Sequence, residues 1–166
     1  MTTNYERKFA ARPDVYEAWG RLITAIKDNM DLRRYELVTL AAAQRLKSSY
    51  CSLAHGSVLI EQFDEPVLQI ATDRNAAGLS EIDLAVMALA EKVVDDASAL
   101  GEGDLQPLRD LGLTDDEIMD VVLTAAARCF FSKTLDGVGA LPDASYAALG
   151  AELLDVLVVG KPIADA

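Results

Sequence analysis

A cysteine and the only histidine of the chain lie four residues apart, in Ser48-Ser49-Tyr50-Cys51-Ser52-Leu53-Ala54-His55. Residues at positions i and i+4 share one face of a helix, so Cys51 and His55 can meet if this segment is helical. A thiol in the first turn of a helix, beside an imidazole, is stabilised as the thiolate. The pattern therefore predicts a reactive thiol at Cys51; the alternative is an inert buried cysteine beside a core histidine.

Glu36 is a candidate partner for His55, because it stands in the otherwise apolar segment Tyr35-Glu36-Leu37-Val38-Thr39-Leu40. A carboxylate is costly to bury unless it is paired or protonated. The alternative is an exposed glutamate in a first helical turn. Along a straight helix Glu36 would lie about 18 Å before Ser48, whereas His55 would lie only about 6 Å into the returning helix. Contact between the two then requires a bent helix, a bridging water or a glutamate from another subunit.

Three further side chains belong to the candidate site. The Ser48 hydroxyl can bond the Cys51 sulfur or simply cap the helix, and the Tyr50 hydroxyl can donate at the site or pack. Cys129 stands in the apolar run Ala125-Ala126-Ala127-Arg128-Cys129-Phe130-Phe131. It is either a small core residue or a thiol that resolves oxidised Cys51.

The chain lacks the parts of other common sites. One histidine and two distant cysteines do not make a zinc site, and no glycine-rich phosphate loop is present. Ser57 follows the histidine, but without the strand–turn–helix context of a hydrolase nucleophile. We therefore expect no metal and no cofactor.

Helical spacing of apolar residues extends over nearly the whole chain and predicts one all-α domain of about eight helices, residues 1–166. Residues 1–11 are expected to form a loose arm, and residues 73–78 a loop. Expected helix starts are Pro13, Asp31, Ser80 and the capping box at Thr114. The expected helices span 13–26, 31–48, 51–62, 65–72, 80–100, 104–111, 114–135 and 144–158.

The net charge of −12 disfavours binding to nucleic acid and to anionic membranes. No apolar run reaches the roughly 18 residues of a membrane span, and the first eight residues lack the apolar core of a signal peptide. A cytoplasmic protein with reduced cysteines is the expectation.

The pattern Glu36-x14-Cys51-x3-His55 resembles the core of the alkylhydroperoxidase D (AhpD)-like, or carboxymuconolactone decarboxylase-like, superfamily. The segments 79–83, 90–92 and 113–118, followed by an apolar helix ending at Phe131, are similar to its peroxidase-related branch. The resemblance covers about residues 15–140. It implies an all-α fold that assembles as homo-oligomers, with active sites near subunit contacts.

In the peroxidase members of that superfamily a Cys-x-x-Cys pair reduces hydroperoxides and is re-reduced by a partner. The resemblance places the second cysteine of the pair at Cys51, and the proton relay at His55 and Glu36. The first cysteine is replaced by Ser48, which cannot form a disulfide. Oxidised Cys51 would then need a small thiol, another protein or Cys129 to resolve it.

Three functions remain open at this point. The first is a single-cysteine peroxidase acting on hydroperoxides, with Cys51 as the nucleophile, His55 and Glu36 as the relay, and Ser48 and Tyr50 as hydrogen-bonding neighbours. The second is an acid–base enzyme acting on a small organic acid, whose carboxylate would be held by Arg33, Arg34 or Arg45. The third is an oligomeric redox sensor or scaffold without catalysis.

Overall fold

The computed structural model describes residues 2–165, in which every regular element is helical and no strand occurs. The all-α fold class is therefore confirmed, with nine α-helices in the described residues where about eight were expected. Three short 3₁₀ turns, at Arg74–Ala76, Ala97–Ala99 and Ala144–Ala148, join them. The helices are α1 (Asn4–Phe9), α2 (Pro13–Lys27), α3 (Leu32–Arg45), α4 (Ser49–Phe63), α5 (Val67–Asp73), α6 (Glu81–Asp96), α7 (Glu102–Asp110), α8 (Asp115–Gly137) and α9 (Ala151–Leu157).

Side-chain caps begin the long helices where the sequence predicts them. The side chains of Asp31, Ser80 and Thr114 each accept a backbone N–H of the first turn of α3, α6 and α8. Each cap satisfies a donor that the helix itself leaves unpaired. These starts are local signals, which explains why they could be predicted without knowledge of the fold.

The expectation of a loose N-terminal arm is wrong. Residues Asn4–Phe9 form α1, which begins with a reciprocal capping box between Thr3 and Glu6. Phe9 is buried and stacks on Tyr16 and Phe131. Aromatic packing against distant helices therefore fixes a segment whose own length would leave it only marginally helical.

Other helix bounds also differ from the prediction, most of all at the ends of α3 and α6 and over the C-terminal segment. α6 ends at Asp96 instead of near Leu100. α3 ends at Arg45 instead of near Ser48, because Lys47 adopts a left-handed backbone with φ of 55° and breaks the helix. The expected C-terminal helix over 144–158 is a 3₁₀ turn followed by α9, which starts after the extended residue Gly150.

α3 is the central helix of the fold and packs against α4, α6 and α8. Its residues 35–43 are buried without interruption, so the helix is covered on every face. Glu36 is consequently inside the protein, and its carboxylate must find partners there. No helix within residues 2–165 is both long enough and apolar enough to cross a membrane.

Candidate active site

Glu36 on α3 and His55 on α4 are in direct contact, with Oε2 of the carboxylate hydrogen-bonded to Nδ1 of the imidazole. The expectation that contact needs a bent helix, a water or a second subunit is wrong. Because α3 stops at Arg45, Glu36 lies nine residues, or about 14 Å, from the end of its helix. His55 lies six residues, or about 9 Å, from the start of α4. The two side chains span the remaining difference of about 5 Å.

Burial and neighbouring charges fix the protonation of this pair. Burial by itself would raise the pKa of Glu36, but the bond to His55 and the Lys27 charge hold that pKa below its ordinary value. Burial lowers the pKa of His55, and the positive charge of Arg128 lowers it further, against the opposing effect of Glu36. His55 is therefore neutral near pH 7 and donates from Nδ1 to the Glu36 carboxylate. Its Nε2 is left unprotonated and able to accept a proton.

Lys27, on α2, forms an ion pair with the second oxygen of the Glu36 carboxylate. Its Nζ lies 3.4 Å from Oε1 of Glu36 and 4.5 Å from the ring centroid of Tyr35. The Lys27 side chain is about one third exposed, whereas the Glu36 side chain is only 4 % exposed. The carboxylate thus has a cation on one oxygen and the imidazole on the other, which satisfies its charge in the interior.

Arg128 on α8 brings a guanidinium to the sulfur of Cys51. Nη1 lies 3.7 Å from the Cys51 Sγ, and Nη2 donates to the Tyr35 hydroxyl at 3.2 Å. The guanidinium carbon also lies 5.4 Å from the Trp19 ring centroid and 5.5 Å from that of Phe131. These contacts hold the guanidinium in a fixed position against the two aromatic rings.

The Arg128 charge has no carboxylate partner within residues 2–165, although the residue is only 3 % exposed. Its Nε also lacks a hydrogen-bond partner in the described part of the chain. A buried cation is costly unless an anion lies close to it. The Cys51 sulfur is the neighbouring group that the guanidinium contacts, so a negative charge that develops on this sulfur would be stabilised by Arg128.

Cys51 and His55 line one cavity of about 400 Å³ together with most of the aromatic residues of the chain. All five tyrosines and the only tryptophan contribute to its walls. The lining residues are Thr3, Tyr5, Tyr16, Trp19, Ile23, Lys27, Tyr35, Tyr50, Cys51, Ala54, His55, Val58, Arg128, Phe131 and Tyr146. A larger, shallower depression of about 790 Å³ along the outer face of α2 contains neither cysteine nor histidine.

Tyr50 fastens α1 over this cavity and does not bond the sulfur. Its hydroxyl donates to Oδ2 of Asp143 and accepts the backbone N–H of Tyr5, and its ring packs edge-on against that of Tyr5. The other Asp143 oxygen accepts the backbone N–H of Asn4 at 2.8 Å. Burial, together with the bond to Asp143, raises the pKa of Tyr50, so the hydroxyl stays protonated.

Two of the predicted polar contacts are absent. Ser48 is fully buried at the start of α4, but its hydroxyl neither caps a backbone N–H nor bonds the Cys51 sulfur. Cys129 carries a free thiol and does not line the cavity. Burial raises the pKa of the Cys129 thiol.

The three arginines proposed to hold a substrate carboxylate do not line the cavity that contains Cys51 and His55, and each is paired with a carboxylate. Arg33 pairs with Glu65 and Asp83, while the other two, Arg34 and Arg45, pair with Glu117 and Asp95. No group of three potential metal ligands lies together among residues 2–165.

Sequence reasoning missed Arg128, Lys27 and Tyr35 as members of the site. Arg128 carried a usable signal, because it is the one charged residue between Asp120 and Lys133. A single charge within an apolar helix has to be paired or functional. Its partner could not be identified from the sequence, since Cys51 lies 77 residues away.

Comparison with protein-family models and with curated protein sequences gave no match. Solved structures do match. One is described as the alkylhydroperoxidase AhpD core, an uncharacterized peroxidase-related protein from Ralstonia eutropha JMP134, with a TM-score of 0.80 and 22 % identity. That match covers 97 % of this chain and 84 % of the other. An uncharacterized peroxidase-related protein from Silicibacter sp. TM1040 matches with a TM-score of 0.77 and 17 % identity, over 85 % of this chain and 76 % of the other.

At these levels of identity the comparison establishes the architecture, and it agrees with the helical bundle described above. The chain therefore has the all-α fold of the alkylhydroperoxidase AhpD core.

Proposed function

We propose that this chain is a single-cysteine peroxidase that reduces organic hydroperoxides with Cys51 as the nucleophile. The observation that carries the proposal is the contact between Cys51 Sγ and the buried guanidinium of Arg128, which has no carboxylate partner in the described residues. A guanidinium held against the sulfur stabilises the negative charge that a cysteine carries when it acts as a nucleophile.

The neutral His55 acts as the base that removes the thiol proton, through its free Nε2. The imidazolium formed in this step is stabilised by the Glu36 carboxylate at Nδ1. The Cys51 thiolate then attacks the terminal oxygen of the hydroperoxide. The O–O bond breaks as the S–O bond forms, and the alkoxide takes the proton from the imidazolium. Cys51 becomes a sulfenic acid, and the hydroperoxide is reduced to an alcohol.

The walls of the cavity favour an organic hydroperoxide over hydrogen peroxide. Aromatic rings from α1, α2, α3, α4 and α8 line the cavity that contains Cys51, and its volume of about 400 Å³ admits a carbon skeleton of several atoms. The cavity cations have partners once Cys51 is a thiolate, because Lys27 lies against Glu36 and Arg128 against the sulfur. An uncharged, apolar hydroperoxide therefore fits the cavity best.

The test is consumption of cumene hydroperoxide in single-turnover mixing, with a sulfenic-acid trap and peptide mapping. We expect one adduct, on Cys51, and slower reaction with hydrogen peroxide. Cys51→Ser should abolish consumption, while Cys129→Ser serves as the matched control and should leave it unchanged. Glu36→Gln should slow it by about 10²-fold, the scale of a lost proton-transfer catalyst.

Either of two results would contradict the proposal: Cys51→Ser consuming hydroperoxide as fast as the wild type, or no adduct on Cys51. Turnover of a small organic acid that survives Cys51→Ala but not His55→Ala would instead support acid–base chemistry by His55 and Glu36.

A further inference from the structure

We propose that oxidised Cys51 is reduced by a small-molecule thiol that enters the cavity, and not by Cys129 or by a protein thiol. This inference rests on the proposed function, since it begins with the sulfenic acid. It concerns the step that follows oxidation, for which Ser48, one turn before Cys51, supplies no thiol.

The burial of Cys51 argues against a protein thiol. A disulfide requires the two Cα atoms to approach to about 4.4–6.8 Å, so the backbone of a partner protein would have to reach the first turn of α4. Cys51 is only 2 % exposed, and α1 lies over the cavity, fastened by Asp143 and packed through Tyr5. A partner backbone cannot reach this depth while α1 is docked.

The placement of Cys129 argues against internal resolution. Cys129 follows Arg128 by one residue, so the two side chains leave α8 about 100° apart. The Arg128 side chain reaches the Cys51 sulfur, and Cys129 is directed elsewhere and does not line the cavity. Burial raises the pKa of Cys129, which also lowers the fraction present as the attacking thiolate.

A small-molecule thiol can enter the cavity itself, so neither the burial of Cys51 nor the placement of Cys129 prevents its attack. The cavity beside Cys51 has a volume of about 400 Å³, within the range of small-molecule sites. His55 Nε2 accepts the proton of the incoming thiol, whose sulfur attacks the Cys51 sulfur. The S–O bond breaks, and the departing hydroxide leaves as water with the His55 proton. A second thiol molecule then attacks the mixed disulfide, which restores the Cys51 thiol and releases the oxidised small disulfide.

The experiment starts from full-length protein oxidised with one equivalent of cumene hydroperoxide, in which intact mass shows one added oxygen. Failure to form this species would contradict the proposed function and is seen before any reductant is added. Glutathione and reduced thioredoxin are then supplied at equal thiol concentration, and the return of the Cys51 thiol is followed by mass. We expect a glutathione adduct on Cys51 as an intermediate, and recovery at least about tenfold faster with glutathione than with thioredoxin.

Cys129→Ser is the matched variant, and it should return to the thiol with glutathione at the wild-type rate. Faster recovery with thioredoxin, a Cys51–Cys129 disulfide, or a sulfenic acid that persists in glutathione would each overturn the inference. Tyr5→Ala removes the ring that α1 places over the cavity. In this variant the rate of thiol recovery with thioredoxin should come closer to the rate with glutathione.

Discussion

Arg128 and Cys51 form a buried pair across α8 and α4, with 3.7 Å between Nη1 and Sγ. The guanidinium is also held by the Tyr35 hydroxyl and by the rings of Trp19 and Phe131. The reactivity of the thiol should therefore depend on a residue 77 positions away in the chain.

Arg128→Gln should slow alkylation of Cys51 by iodoacetamide at neutral pH. A hydrogen bond to a charged group contributes about 1.5–3 kcal/mol, so the rate should fall about 10- to 100-fold. Arg128→Lys keeps the positive charge, so its Cys51 should be alkylated faster than that of Arg128→Gln. The lysine cannot also bond Tyr35 with the same geometry, so the rate should stay below that of the wild type. Circular dichroism checks that both variants fold. Equal alkylation rates in Arg128→Gln and wild type would show that the guanidinium does not activate the thiol.

The sequence predicts those parts of the fold and site that depend on near neighbours along the chain. The caps at Asp31, Ser80 and Thr114 are local, and so is the spacing of Cys51 and His55. α1 carries a capping box at Thr3 but is too short to be stable alone, and its helical form depends on burial of Phe9 by distant rings. Such packing cannot be inferred from the segment itself.

The contacts within the candidate site could not be predicted from the sequence for the same reason. The Glu36–His55 contact depends on where α3 ends, and a shift of three residues in that bound changes the distance by about 5 Å. The left-handed conformation of Lys47 sets this bound, and nothing in the lysine side chain signals it. The contact of Arg128 with Cys51 depends on how α8 packs against α4, which is a property of the whole bundle.

Stability should rise with pH through the range in which His55 titrates. An unfolded histidine has a pKa near 6.5, and the folded value is lowered by burial and by Arg128. Between these two values the unfolded chain binds a proton that the folded chain does not. The free energy of unfolding therefore increases with pH there, by up to about 1.4 kcal/mol per pH unit. Glu36, whose folded pKa is also lowered, adds stability above its unfolded pKa that is lost only at more acidic pH.

Urea unfolding at about pH 5.5 and pH 7.5 measures this difference, and His55→Gln should reduce it. A wild type that is equally stable at both pH values would contradict a lowered histidine pKa. A difference of the same size in His55→Gln would assign the pH dependence to other groups.

Asp143→Asn should loosen α1 from the mouth of the cavity. The carboxylate accepts both the Asn4 N–H and the Tyr50 hydroxyl, and a neutral amide accepts them less strongly. We expect the free energy of unfolding to fall by about 1–2 kcal/mol and a bulky maleimide to label Cys51 faster. Asp95→Asn, which breaks an exposed pair with Arg45, should change neither quantity appreciably. Unchanged labelling in Asp143→Asn would mean that α1 does not control access to Cys51.

Gly160→Ala should destabilise the turn from which α4 begins. An added Cβ would lie 2.0 Å from the carbonyl oxygen of Lys47, and the Gly160 N–H donates to the Ser49 hydroxyl at 2.8 Å. Backbone atoms cannot yield as a flexible side chain can, so we expect a loss of about 1–3 kcal/mol in the free energy of unfolding.

Gly20→Ala provides the matched control, because the same substitution in the exposed interior of α2 meets no atom within 4 Å. It should stabilise the protein by about 0.5–1 kcal/mol through the lower backbone entropy of the unfolded chain. Thermal melting of the two variants beside wild type measures both effects. Because α4 carries Cys51 in its first turn, Gly160→Ala should also alter the rate of Cys51 alkylation. If Gly160→Ala melts at the same temperature as the wild type, the C-terminal segment does not pack on this turn.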